Sequence, residues 1–110
     1  MNILKKGKTP NNTDIQIEDW SQSYPNLSKK FNIGFYPISK ESIYKEDKPH
    51  FTPYPKRGET FRCAFMFQTL EEATTAFKQL ESGAKDFSDY LNCYSDNVAS
   101  KENFIKCVIA

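Results

Sequence analysis

The strongest hydrophobic pattern in the chain lies in residues 60–83, where a strand pattern changes directly into a helix pattern. Between residues 60 and 68 every second side chain is apolar, which is the period of a strand with one buried face. These alternating positions are Phe61, Cys63, Phe65 and Phe67. The next apolar positions follow at helical spacing and form one stripe, at Leu70, Ala73, Phe77 and Leu80. We therefore predict one strand followed at once by one main helix, with Phe65 and Phe77 facing each other in the core.

Both ends of this helix carry residue types that mark helix boundaries. The Thr69 hydroxyl can accept a backbone N–H of the first turn while Glu72 reaches back, which is the T-x-x-E capping box. Gly83 can adopt the left-handed conformation that ends many helices. The helix is therefore expected to lie between Thr69 and Gly83.

Three shorter segments show alternation and predict the rest of a sheet. Residues 14–20 alternate two isoleucines with Gln16 and Glu18, which predicts a strand with one solvent-exposed face. Residues 30–38 predict a second strand, with Phe31, Ile33 and Phe35 on one face. Residues 103–110 are apolar on both faces, which predicts a strand that is covered on both sides.

Together these patterns predict an α+β fold in a single domain. Helical spacing returns in residues 87–94 and indicates a second short helix that begins near Asp86. The sheet is expected to be mostly antiparallel, with about four strands and with both helices on one face. A ferredoxin-like arrangement is one form of this fold. Residues 1–13 are polar, so we expect a disordered or loosely held tail before a domain at residues 14–110.

Part of the strand–helix unit resembles the third strand and second helix of an RNA-recognition motif. The matching residues, spread over about a quarter of the chain, are Arg57, Gly58, Phe65, Phe67, Glu72, Ala73, Ala76, Phe77, Leu80 and Gly83. In this comparison Arg62 and Ala64 take the two base-stacking positions, which require aromatic rings. The resemblance therefore implies a ferredoxin-like strand–helix unit, which serves many functions, and does not imply RNA binding.

Charge and cysteine content narrow the class of protein. The formal net charge of +1 argues against a strongly basic nucleic-acid binder and against an acidic DNA mimic. The three cysteines stand far apart, and no apolar run resembles a signal peptide or approaches the length of a membrane span. We therefore expect a cytoplasmic protein with reduced thiols and no membrane association. Thirteen lysines against two arginines fit an AT-rich coding sequence, as in bacteria of low GC content and their mobile elements.

The sequence lacks the residue patterns of catalysis and of metal binding. The single histidine, His50, lies among prolines without a neighbouring motif for a catalytic triad or a Cys–His pair. There is no C-x-x-C, no H-x-x-x-H and no glycine-rich phosphate loop. The carboxylate pairs Glu71–Glu72 and Asp86–Asp89 lie at predicted helix starts, where they complement the helix dipole. We therefore expect no enzyme activity, no cofactor and no bound metal.

The most unusual segment is residues 39–59, a connection longer than a compact domain uses for a plain turn. It contains three prolines, which favour extended backbone, together with aromatic rings and cations. The candidate partner-binding residues in it are Tyr44, His50, Phe51, Tyr54, Lys56 and Arg57. Such a segment is either a binding loop or a flap whose rings fold onto the core.

The sequence supports three functional hypotheses, which differ in the partner. The leading one is a small, non-enzymatic protein-binding module that inhibits or modulates a larger partner, as inhibitors, immunity proteins and mobile-element accessory proteins do. It rests on the lack of a recognisable set of catalytic residues and on the aromatic rings of residues 39–59, because exposed rings are favoured contact residues. The second is a single-stranded nucleic-acid binder that uses the rings and cations of residues 39–59. The third is a small-molecule-binding dimeric ferredoxin-like barrel; the identity of the partner and the choice between monomer and homodimer stay open.

Overall fold

The computed structural model describes residues 1–10, 12–35, 63–94 and 100–108, which form a four-stranded sheet with helices. The strands are β1 (Asn2–Lys8), β2 (Asp14–Asp19), β3 (Phe31–Phe35) and β4 (Cys63–Phe67). They lie in the order β1-β2-β3-β4, and each neighbouring pair is antiparallel. The helices are α1 (Leu70–Ser82), a 3₁₀ helix (Phe87–Tyr90) and α2 (Lys101–Val108). The predicted α+β class with an antiparallel sheet is confirmed, and its ferredoxin-like form stays a prediction.

The core lies between one face of the sheet and helix α1, which packs on β2, β3 and β4. Its buried side chains are Ile15, Ile17, Ile33, Phe35, Phe65, Phe67, Ala73, Ala76, Phe77, Leu80, Phe87, Tyr90, Leu91 and Phe104. Phenylalanine rings fill the centre, where the Phe65 ring centroid lies 4.6 Å from that of Phe35 and 5.4 Å from that of Phe87. Phe65 and Phe77 are both fully buried, so their prediction as core residues is confirmed.

Helix α1 begins and ends at the residues that the sequence predicts. The Thr69 hydroxyl accepts the Glu72 N–H at 3.1 Å and donates to the Glu72 carboxylate at 3.0 Å. Gly83 has a φ of 80° and ends the helix in the left-handed conformation. The buried stripe differs from the predicted one, because Leu70 is exposed and Ala76 is buried. The helix therefore turns its first apolar side chain to solvent and packs through its later turns.

The second short helix is confirmed near Asp86 and has 3₁₀ geometry. The Asp86 carboxylate accepts the Phe87 N–H at 2.8 Å, and the Asp89 carboxylate accepts the Asp86 N–H at 2.8 Å. The Asp86 carboxylate also accepts the backbone N–H of Asp89, and this bond together with the Asp89 bond forms a capping box. The two carboxylates therefore serve the helix start, as the sequence predicts.

The structure corrects the prediction for residues 1–13, because most of this segment is a strand and not a loosely held tail. β1 pairs with β2 in an antiparallel ladder, with a bulge between Ile3 and Lys5. The Lys5 side chain lies along the core edge, with Nζ 5.1 Å from the centre of the Phe77 ring. A polar segment can thus be ordered by ladder hydrogen bonds and by lysine stems that cover apolar surface. The bulge and the lysines also discourage this edge strand from pairing with another chain.

Residues 103–110 require a second correction, because Lys101–Val108 form helix α2 where the alternation predicts a strand. The Ser100 hydroxyl accepts the Asn103 N–H at 3.2 Å, and the Ser100 carbonyl accepts the Phe104 N–H at 3.1 Å. Phe104 packs into the core, with its ring centroid 5.9 Å from that of Phe65. In so short a segment, adjacent apolar residues fit the strand period of two as well as the helical period of about 3.6. The serine cap favours the helix.

Cys93 follows the 3₁₀ helix and carries a free thiol. Its carbonyl accepts the Met66 N–H at 2.8 Å, which ties this segment to the outer edge of β4. Burial raises the pKa of the Cys93 thiol above its ordinary value. The side chains of Cys63 and Cys107 lie outside the described part of the structure, so the expected reduced state of all three cysteines stays a prediction.

Candidate functional site

The face of the sheet that points away from α1 carries polar side chains that are buried. Gln16 and Glu18 of β2 are 7% and 5% exposed, and Asn32 of β3 is 3% exposed. The predicted solvent-exposed face of β2 is therefore wrong. Buried polar groups need hydrogen-bond partners within the protein, because water no longer supplies them. The hydrogen-bond partners of these side chains therefore determine which groups on this face remain available for binding.

Glu18 lies at the centre of a hydrogen-bond network on this face. Its Oε1 accepts the indole N–H of Trp20 at 3.0 Å, and its Oε2 accepts the side-chain amide of Gln16. In the amide orientation that satisfies both of its ends, Asn32 accepts the same indole N–H at 2.8 Å. Both oxygens of the Glu18 carboxylate therefore accept hydrogen bonds within the protein. This Glu18 network fixes the orientation of the Trp20 ring and places a negative charge at its N–H edge.

Gly34 makes room for the Glu18 carboxylate. It lies on the same face, in register with Gln16 of β2 and Ala64 of β4. A Cβ at this position would lie 2.6 Å from Glu18 Oε2, well inside van der Waals contact. The carboxylate cannot move aside without stretching its hydrogen bonds to Gln16 and Trp20. An alanine at residue 34 would therefore have to displace the Glu18 carboxylate from this network.

We expect Gly34→Ala to lower the free energy of unfolding by about 1–3 kcal/mol, the usual range for an overpacked site. The added methyl group displaces the Glu18 carboxylate, and this cost exceeds the gain of about 0.5–1 kcal/mol for replacing glycine in a strand. Urea denaturation measures the change. In a Glu18→Ala background the clash is absent, so the same substitution should be neutral or stabilising. An equal loss in both backgrounds would show that the carboxylate is not the cause.

A pocket of about 360 Å³ opens beside the Trp20 ring. We call it the Trp20 pocket, and its described lining residues are Trp20, Tyr24, Leu27, Asn32, Ala64 and Met66. The Trp20 and Tyr24 rings stack with their centroids 5.1 Å apart, and Tyr24 is 50% exposed. The Tyr24 N–H donates to the Trp20 carbonyl at 3.0 Å, which closes the turn that holds the two rings together. The pocket therefore combines an oriented indole and an exposed phenol ring with flexible apolar side chains and one amide.

The described lining of the Trp20 pocket is uncharged, and charged residues lie around it. No lysine or arginine is found among its described lining residues. Asp19 precedes Trp20 and takes the opposite face of β2, and its pKa is lowered because the Ser21 hydroxyl and backbone N–H donate to its carboxylate. Lys29 contacts Tyr94 instead, where its Nζ donates to the carbonyl at 2.9 Å and lies 5.7 Å from the ring centre. Charges of both signs therefore lie around this pocket, because Lys30 pairs with Trp20 across the two strands and the N-terminal ammonium donates to Ser23.

A second pocket of about 310 Å³ lies at the start of α1. Its polar lining includes Glu71, Glu72, Gln79 and Tyr90. The Tyr90 hydroxyl donates to the side-chain carbonyl of Gln79, and burial raises the pKa of Tyr90 to about 12, so the phenol stays protonated at neutral pH. The two glutamates lie in the first turn of α1, where the helix dipole favours negative charge. These polar groups have structural roles, and the Trp20 pocket is the stronger candidate site.

The six partner-binding residues predicted from the sequence lie outside the described residues. They are Tyr44, His50, Phe51, Tyr54, Lys56 and Arg57. Their role stays a prediction, as does the choice between a binding loop and a flap for residues 39–59. Ala64, at one of the base-stacking positions of the RNA-recognition motif, lines the Trp20 pocket without offering a ring.

Sequence reasoning missed Trp20 and Tyr24 because it assigned the polar side chains of β2 to solvent. A signal was present in the single tryptophan, which follows directly after the alternating residues of this strand. A partly buried indole needs an acceptor for its N–H. Glu18, two residues earlier and on the same face, is such an acceptor.

The chain matches no protein-family model, no curated protein and no solved structure. Among the residues that the structure describes, no helix is both long and apolar enough to cross a membrane. In the same part of the chain, no three His, Cys, Asp or Glu side chains stand close enough together to hold a metal ion. Functional assignment therefore depends on the geometry of the Trp20 pocket.

Proposed function

We propose that this protein is a small, non-enzymatic, cytoplasmic module that binds a larger protein partner and inhibits or modulates it. The observation that supports the proposal is an indole held by a buried carboxylate and stacked on a half-exposed tyrosine beside an open pocket. Tryptophan, tyrosine and methionine are enriched in protein interfaces, and lysine is depleted. In this proposal the partner inserts a side chain beside Trp20, Tyr24 and Met66.

Preorganisation distinguishes Trp20 from an ordinary exposed ring. Glu18 and Asn32 hold its N–H, and the Tyr24 ring stacks on the indole. Ordering a mobile side chain on binding costs about 0.5–1.5 kcal/mol, and a ring that is already fixed avoids most of this cost. Interface hot spots are commonly rings of this kind, each worth about 2 kcal/mol or more. We therefore assign Trp20 and Tyr24 as contact residues.

Affinity capture from the native cells tests this function, with the partner identified by mass spectrometry. We expect the tagged wild-type protein to recover one dominant partner and the Tyr24→Ala variant to recover it with about tenfold lower affinity or worse, a change of about 1.4 kcal/mol. Leu70→Ala is the matched control, because Leu70 is 42% exposed and lies on α1, outside the Trp20 pocket. Retention of the partner by Tyr24→Ala, or equal loss in both variants, would contradict the assignment.

Binding of single-stranded nucleic acid is the competing function, because stacked rings can also accept bases. The absence of lysine and arginine among the described lining residues disfavours it, since phosphates would find no cation there. Fluorescence anisotropy with labelled single-stranded DNA and RNA at two salt concentrations separates the two functions, because nucleic-acid binding weakens steeply with salt. We expect no binding, and salt-sensitive binding that disappears in Tyr24→Ala or in Phe51→Ala/Tyr54→Ala would overturn the proposal.

A further inference from the structure

We propose that the Trp20 pocket binds a proline-rich extended segment of the partner protein. This inference rests on the proposed function, because it names the kind of chain that the partner presents to Trp20 and Tyr24. Its basis is the described lining, which offers aromatic rings, flexible apolar side chains and hydrogen-bonding groups without charge. A proline-rich segment offers apolar rings and carbonyl oxygens, and both find their complement in that lining.

The two aromatic rings offer the surface on which prolines pack. The indole N–H of Trp20 donates to Glu18 and Asn32, so the ring surface is the part of Trp20 left for a ligand. Tyr24 stacks on this indole with an angle of 29° between the planes, and Tyr24 is half-exposed. Grooves lined by aromatic rings bind proline-rich segments because such segments are apolar and already extended. The ring pair is therefore a preorganised platform for proline.

The apolar part of the described lining is accessible to a ligand. Leu27, Ala64 and Met66 are partly exposed, whereas Asn32 is buried. Met66 lies opposite Asn32 in the register of β3 and β4, and Ala64 stands two residues earlier on the same face of β4. The unbranched methionine side chain adapts its shape to what it contacts. These side chains therefore form an apolar floor beside the two rings.

The width of the pocket matches one turn of a polyproline II helix. Trp20 continues the ladder of β2, where its N–H donates to the Lys30 carbonyl at 2.8 Å, and Met66 lies on β4, two strands away. Neighbouring strands lie about 4.8 Å apart, so the pocket crosses about 10 Å of the sheet. Three residues of a polyproline II helix span about 9 Å. One turn of the ligand therefore reaches from the Trp20 ring to the Met66 side chain.

Hydrogen bonding and charge favour the same ligand. Proline lacks a backbone N–H, so a proline-rich segment brings carbonyl acceptors that need donors. The Tyr24 hydroxyl, on a half-exposed ring, is such a donor. The charged groups lie around the pocket and not in its described lining. A neutral segment therefore packs on this lining without desolvating a charge of its own.

Two capped peptides test the inference without knowledge of the partner. The purified protein is titrated with acetyl-pentaproline amide and with acetyl-pentaalanine amide, which has the same length without rings or a preformed helix. Trp20 is the single tryptophan, so its indole N–H signal in ¹H–¹⁵N NMR spectra reports on this pocket specifically. We expect pentaproline to shift this signal saturably and to bind about tenfold more tightly than pentaalanine, because its chain is already ordered.

Three variants test the assigned contacts, with backbone amide spectra as the check that each is folded. Tyr24→Ala should weaken pentaproline binding about tenfold or more, because it removes an exposed ring and leaves the buried Glu18 network in place. Tyr24→Phe keeps the ring and should weaken binding only about 2- to 5-fold, through one lost hydrogen bond. Leu70→Ala is the matched control on α1 and should bind as the wild type does.

The prolines of the chain itself require a separate variant, because Pro49, Pro53 and Pro55 lie outside the described residues. We expect Pro49→Ala/Pro53→Ala/Pro55→Ala to keep both the indole signal and the affinity for pentaproline. A shifted indole signal together with tighter pentaproline binding would overturn the partner as the source of the prolines.

Other outcomes would overturn the choice of ligand. No shift of the indole signal in either protein, equal binding of the two peptides, or undiminished binding in Tyr24→Ala would each show that the pocket does not select proline. Partner capture is an independent readout of the function. A partner lost in Tyr24→Ala would leave the protein-binding function standing without pentaproline binding, whereas a retained partner would remove that function as well.

Discussion

Phe65→Ala should lower the free energy of unfolding by about 3–5 kcal/mol, the range for truncating a fully buried ring. The Phe65 ring lies at the centre of an aromatic cluster, with centroids 4.6 Å from Phe35, 5.4 Å from Phe87 and 5.9 Å from Phe104. These neighbours belong to β3, the 3₁₀ helix and α2. A cavity at this position therefore weakens the contacts that join three elements to β4. Since small domains are stable by only about 5–15 kcal/mol, much of the stability would be lost.

Urea denaturation followed by far-UV circular dichroism measures the loss. Phe65→Leu is the matched control, because it keeps most of the apolar volume and should cost less than about 1.5 kcal/mol. Met66→Ala changes the next residue, which lines the Trp20 pocket on the opposite face, and should cost clearly less than Phe65→Ala. A loss below about 1 kcal/mol for Phe65→Ala would show that this ring does not organise the core.

The sequence predicts the fold best where several local signals agree. In the segment around β4 and α1, strand alternation, a threonine cap, helical spacing and a terminal glycine all indicate the same structure. The cap forms at Thr69, and Gly83 takes the left-handed conformation. Leu70 departs from the pattern because a residue in the first turn can satisfy helical spacing and still point past the edge of the sheet.

The two wrongly assigned segments lack such agreement. β1 is ordered by its ladder with β2 and by contact of Lys5 with the Phe77 ring, which are tertiary interactions that no local pattern encodes. In α2 the apolar positions fit either a strand or a helix, and only Ser100 carries the local signal for a helix start. Short polar or ambiguous segments are therefore decided by what they pack against.

The Trp20 pocket shows a different limit of pattern reasoning. Alternation along β2 correctly separates Ile15 and Ile17 from Gln16 and Glu18. It cannot tell whether the polar face is covered, because period two reports which side chains share a face and not what lies above it. The space for the Glu18 carboxylate is made by Gly34 on the next strand, a relation visible only once the register is known.

Phe77→Ala should also lower the free energy of unfolding by about 3–5 kcal/mol, and it should loosen β1 more than the rest of the sheet. Phe77 is fully buried on α1. A Cβ added to Gly7 would lie 2.7 Å from Cζ of this ring, and Lys5 Nζ lies 5.1 Å from its centre. Removing the ring therefore takes away the surface on which the backbone and the lysine stem of β1 rest.

Urea denaturation gives the global loss, and native-state hydrogen exchange of the amides in residues 2–8 gives the local one. In the wild-type protein the amides that pair with β2 should be protected, and in Phe77→Ala their protection should fall further than that of β3. Thr75→Ala is the matched control on the exposed side of α1 and should change stability by no more than about 0.5 kcal/mol. Unprotected β1 amides in the wild type would show that residues 1–13 are a loosely held tail after all. Selective loss of their protection in Phe77→Ala would show that a helix ring, and not the polar sequence of the strand, decides that this segment is ordered.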